Sequence, residues 1–156
     1  MLMALAKKTV SPNTNPMDKY VFLDHTADIK FTAFGFSFGE ALANAAEAMF
    51  SVMANVEALG DEETVTIEEK AETLEELVGY TLGDILAESG SQEIFFKRFR
   101  IDSFHKDEQG YALTGTAFGE EMTPEKGKTD IKAVTMHEIS VTHEGNLSEI
   151  TVLLDI

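Results

Sequence analysis

Apolar positions along this chain fall into two rhythms, and each change of rhythm marks an element. Tyr20-Val21-Phe22-Leu23 is a short β-type run. Ile29, Phe31 and Ala33 then alternate with Lys30, Thr32 and Phe34 up to Gly35, which predicts a second strand. From residue 37 the period becomes helical. Leu42, Ala45, Ala46, Met49, Phe50 and Met53 share one stripe, with Ser37 as the N-cap and Glu40, three residues on, completing a capping box. The many alanines allow this helix to lie close to a sheet. Residues 64–69 set Val65 and Ile67 between polar neighbours, as an edge strand does. Thr73 and Glu76 form a second capping box. Leu74, Leu77, Val78, Leu82, Ile85 and Leu86 follow on one apolar face, and Gly90 is the expected stop.

The rest reads as strands. Residues 94–104 and 111–118 make one hairpin, and residues 131–142 and 147–154 make another through a turn at 143–146. The predicted order is ββαβαββββ. Helices grouped early and strands grouped late indicate an α+β fold: a single domain of mainly antiparallel or mixed β-sheet layers with two helices packed on them. Residues 1–17 carry Pro12 and Pro16 among Ser, Asn and Thr without periodicity. They are expected to form a flexible extension to a folded domain spanning 18–156.

Composition narrows the possible functions. The chain has 28 acidic against 12 basic residues, a formal net charge of −16. Gripping a phosphate backbone depends on Lys and Arg, so direct nucleic-acid binding is not expected. The acidity suits solubility, a hard cation or a basic protein partner. There is no cysteine, which removes disulfides, thiol catalysis and thiolate metal sites and fits a reducing cytoplasm. No apolar run is long enough to span a bilayer. Acids dominate residues 61–93, where Lys70 is the single base, and are expected on the solvated faces of a strand and a helix.

The glycines form no phosphate-binding loop or dinucleotide fingerprint, and no serine sits in a nucleophile elbow. His25, His105, His137 and His143 are scattered, with no zinc spacing. What remains is a set of oxygens. Asp24, His25 and Asp28 occupy one short turn between strands, and Asp155 stands next to the final residue, Ile156. If the last strand pairs beside the first ones, Asp28 and Asp155 converge and suit Ca²⁺ or Mg²⁺. The other reading is that Asp28 closes an Asx-type turn with a backbone N–H. His25 is the better histidine candidate. His137 alternates with Ile139 and Val141 and reads as a buried neutral imidazole. Lys132 reads as surface, or as a charge that meets a partner's acid or phosphate.

At this point the chain resembles the archease family. The resemblance rests on His25-Thr26-Ala27-Asp28 after a short strand and on Ala41-Leu42-Ala43-Asn44-Ala45-Ala46-Glu47-Ala48-Met49-Phe50. It continues through Phe96-Lys97-Arg98-Phe99, Gly119-Glu120, Ile131-Lys132-Ala133-Val134-Thr135-Met136-His137-Glu138 and Leu153-Leu154-Asp155-Ile156. It implies a non-catalytic protein cofactor of an RtcB-type RNA ligase in tRNA splicing, which promotes guanylylation of the ligase and its multiple turnover. It also implies bound calcium, with Asp28, Asp155 and Ile156 as ligands, the last through its carbonyl or terminal carboxylate. Lys132 falls on the family's functionally important lysine. Two other readings stay open: a chaperone-like modulator of a tRNA methyltransferase or another RNA-processing protein, and a metal-dependent hydrolase using His25 and Asp28. One departure stands out. Many members carry Arg-His in a Pro-Glu-Arg-His pattern, where this chain has Pro124-Glu125-Lys126-Gly127. The basic charge is partly kept and the histidine is lost.

Overall fold

The computed structural model describes residues 18–156; the expected extension at 1–17 lies outside them. The elements run β1 (Tyr20–Leu23), β2 (Ile29–Gly35), α1 (Phe38–Met53), β3 (Glu63–Ala71), α2 (Leu74–Gln92), β4 (Ile94–Asp107), β5 (Gly110–Glu121), β6 (Ala133–Glu144) and β7 (Leu147–Asp155). Short 3₁₀ turns at Val56–Ala58 and Pro124–Lys126 fill the connections. The order is the predicted one, and the fold is α+β.

The strands form two antiparallel sheets, one in the order β1-β2-β7-β6 and the other β3-β5-β4. Helix α1 packs on β2 and β7 of the first sheet and on β4 of the second; α2 packs on β6 of the first and β3 of the second. The helices therefore form a layer that joins the sheets. The burial of α1 reflects this. Leu42, Ala45, Ala46 and Met49 are buried on the expected stripe, and Ala41, Ala48 and Val52 are buried beyond it. A helix covered on both sides must be apolar almost all round. Phe31, Phe50, Ile67, Leu77, Leu82, Ile85, Leu113, Ile150 and Leu154 complete a continuous core.

Local signals hold with three differences. At α2 the capping box is complete: the Thr73 side chain accepts from the Glu76 N–H at 3.1 Å, and Glu76 accepts from the Thr73 N–H at 3.3 Å. At α1 only half of it forms. Ser37 Oγ accepts from the Glu40 N–H, but the Glu40 carboxylate reaches one residue further back, to the Phe36 N–H. Gly90 does not stop α2. The helix continues to Gln92, and Glu93 takes the left-handed conformation (φ 58°) with its N–H on the Ser89 carbonyl. Finally, His137 is exposed. The pairing of β6 with β7 jumps from Thr135↔Leu153 to Ser140↔Thr151, so the four residues 136–139 of β6 stand against Val152 alone of β7. The extra residues push Met136, His137 and Glu138 outward, which breaks the alternation that placed His137 inside.

Candidate functional site

The register of the first sheet brings the predicted residues to one end. Strand β7 is central, between β2 and β6. Ile29 pairs with Leu154, so the next step of the antiparallel register sets Asp28 opposite Asp155. On the other side Ala133 pairs with Asp155, and the Lys132 N–H donates to the Asp155 carbonyl at 2.7 Å. Asp155 thus lies between the turn that carries Asp28 and the segment that carries Lys132. Ile156 follows it and is 37% exposed.

The turn between β1 and β2 has a feature that the sequence does not signal. Ala27 has φ 73°, one of two non-glycine residues at positive φ among the described residues. Alanine gives no left-handed preference, so nothing in the residue type pointed there. Asp24, His25, Thr26 and Ala27 are exposed, and Asp28 is half-buried. Among the described residues, the side chains of His25, Asp28, Asp155 and Lys132 have no hydrogen bond or ion pair within the protein. The Asx-turn bond considered for Asp28 is not formed, and no partner orients His25 for acid–base work.

Two carboxylates with free oxygens at one end of a sheet are a donor set that fits a hard, oxygen-seeking cation. The side chains alone are too few. Among the described residues no group of three or more His, Cys, Asp or Glu is arranged to hold a metal. Any cation here needs backbone or terminal oxygens, or water, to complete its shell.

The loop before Lys132 is tied down along α1. The Asn55 N–H donates to the Lys126 carbonyl, the Lys128 N–H to the Met53 carbonyl and the Thr129 N–H to the Val52 carbonyl. Lys126 pairs with Glu120 at 2.5 Å, and Glu120 also accepts from the Gly60 N–H. Those two hydrogen bonds hold the Glu120 carboxyl below the usual range. The basic charge at this position is spent on the chain's own loop. At Gly127 an added Cβ would lie 3.2 Å from the Phe95 ring, so a histidine there would require that ring to move.

With this geometry in place, comparison with known proteins is informative. The Archease protein family model matches residues 20–156. The chain belongs to the archease family. It is 34% identical over 140 residues to an archease of Methanosarcina barkeri, covering 88% of this chain and 96% of that protein. It is also 34% identical over 140 residues to the archease of Danio rerio, at 88% and 85% coverage. The solution structure of protein 1598 of Methanobacterium thermoautotrophicum superposes with a TM-score of 0.79 at 32% identity, covering 88% of this chain and 99% of that one. A crystal structure from Thermotoga maritima, described as an archease and possible chaperone, has the same fold at 21% identity and a TM-score of 0.59. Among the described residues, no helix is long and apolar enough to cross a membrane.

Proposed function

We propose that the protein is a non-catalytic cytoplasmic activator of an RtcB-type RNA ligase in tRNA splicing, and that the Asp28–Asp155 end of the first sheet is its working surface. The observation that carries this reading is the register around β7, which sets Asp28, Asp155 and Lys132 side by side although they are far apart in sequence. Asp28 and Asp155, with an Ile156 oxygen, would hold Ca²⁺, or Mg²⁺ in its place. When bound, the cation would supply fixed positive charge at a surface that is otherwise strongly acidic. The chain's own residues position this charge. Ala27 turns the backbone so that Asp28 stands immediately before β2, the Lys132 N–H anchors Asp155, and the unpaired Lys132 ammonium is left to meet a partner's acid or phosphate. Aligning a nucleotide with the ligase's own nucleophile is a task of positioning and charge, for which such a surface is suited.

The test is multiple-turnover RNA ligation by the cognate ligase with and without this protein. The wild-type protein is expected to raise turnover and Lys132→Ala to lose most of that stimulation; no stimulation by the wild type would overturn the reading. The half-exposed Phe22, Phe36, Tyr80 and Met136 favour a chaperone-like role as the second reading. On that reading the protein suppresses aggregation of unrelated clients, and Lys132→Ala changes nothing.

A further inference from the structure

A groove of about 740 Å³ is lined by α2, by the segment that leads into β6 and by Glu69 of β3. It adjoins the proposed working end, because Lys132 is part of its lining. Tyr80 and Met136 line it too and are 43% and 41% exposed, unusually open for such large apolar side chains. Met136 is held there by the extra residues of β6 and sits directly over Gly79, where an added Cβ would collide with its sulfur.

Two further glycines of α2, Gly83 and Gly90, line the same groove. Glycine inside a helix weakens it relative to alanine. It is usually kept where another atom comes too close for a Cβ. Here an added Cβ at either position meets nothing within 4 Å. The monomer makes no use of this bare strip of helix, and the bare strip widens the groove.

Glu69 of β3 and Asp84 of α2 both line the groove. Burial first, then the neighbouring Asp84 carboxyl, push the Glu69 carboxyl up to about 8. A half-buried carboxyl that holds its proton at neutral pH is one that lacks a cation. The other titratable groups lining the groove are Tyr80, Asp130 and Lys132.

We propose that this groove receives an apolar segment of a partner protein bearing one lysine or arginine, its stem lying between Tyr80 and Met136 along the bare face of α2 and its cation meeting Glu69 and Asp84. Charge complementarity selects this occupant: an apolar slot lined by three acids, Glu69, Asp84 and Asp130, against the one base Lys132, in a chain of net charge −16, favours a cation on an apolar stem. The partner's identity rests on the ligase reading above. On that reading the segment belongs to the ligase, and the groove extends the contact begun at Lys132.

The test is calorimetric titration of the cognate ligase into this protein near pH 7, in two buffers of different ionisation enthalpy. Wild type should bind with release of close to one proton, because a cation beside Glu69 ionises it. Glu69→Gln should remove that release. Gly83→Leu fills the groove with a good helix former, so its unfolding midpoint should hold or rise while its affinity for the ligase falls by about tenfold or more. Wild-type affinity in both Gly83→Leu and Tyr80→Ala would overturn the groove while leaving the ligase reading intact. No binding by wild type would overturn both. Sedimentation of the protein alone covers the remaining occupant: a dimer that Gly83→Leu dissociates would assign the groove to a second copy of this chain and overturn the proposal.

Discussion

Ala27 carries backbone strain where the proposed site begins. Its φ of 73° brings the Cβ of an L-residue against the following carbonyl, at about 1–2 kcal/mol. The side chain is exposed, so no buried contact offsets that strain. Ala27→Gly should therefore stabilise the protein by about 0.5–1 kcal/mol in urea unfolding, after allowing for the greater freedom of glycine when unfolded. A loss of stability would mean that the methyl group makes a contact of its own. Residue type made Asp28 and Asp155 legible as candidates, because carboxylates at strand ends are conspicuous. It could not reveal Ala27, since alanine has no turn signature. Nor could it reveal the role of Lys126, whose charge is taken up by Glu120 through a fold-level contact.

Pairs of elements create what single elements do not show. Read along β3 and α2 separately, Glu69 and Asp84 are two more acids on solvated faces, and packing α2 on β3 brings the two carboxyls together. The consequence is a pH dependence of definite sign. Unfolded, Glu69 ionises near its ordinary 4.5; folded, it does so at about 8. Between those values the native chain holds a proton that the unfolded chain has released. The stabilisation is fully present below the lower value and is lost as pH rises through the upper one. The urea midpoint of the wild type should fall between about pH 5 and pH 8, and Glu69→Gln should flatten that fall. Equal slopes in the two proteins would remove the pair from the account. Strand β6 shows the same limit of local reading. Its alternation from Ile139 through Val141 is real, but the irregularity between Thr135 and Ser140 reverses the face of His137. An irregularity of that kind depends on the neighbouring strand and leaves no periodic trace.

At the scale of the molecule, element order was legible because both α-helix starts carry a cap and the strands are short apolar or alternating runs set between turn residues. Which strands adjoin was not, because pairing β2 with β7 joins segments more than a hundred residues apart. That pairing nevertheless creates the candidate site: it sets Asp28 opposite Asp155 and lets β6 bring Lys132 alongside. These two aspartates are proposed to serve one cation. Calcium titration of the wild type, Asp28→Asn, Asp155→Asn and the double variant decides it. One shared site predicts that each single change weakens calcium binding by about tenfold or more, and that the double variant loses less than the sum of the two single free-energy losses. Wild-type calcium affinity in either single variant would contradict it.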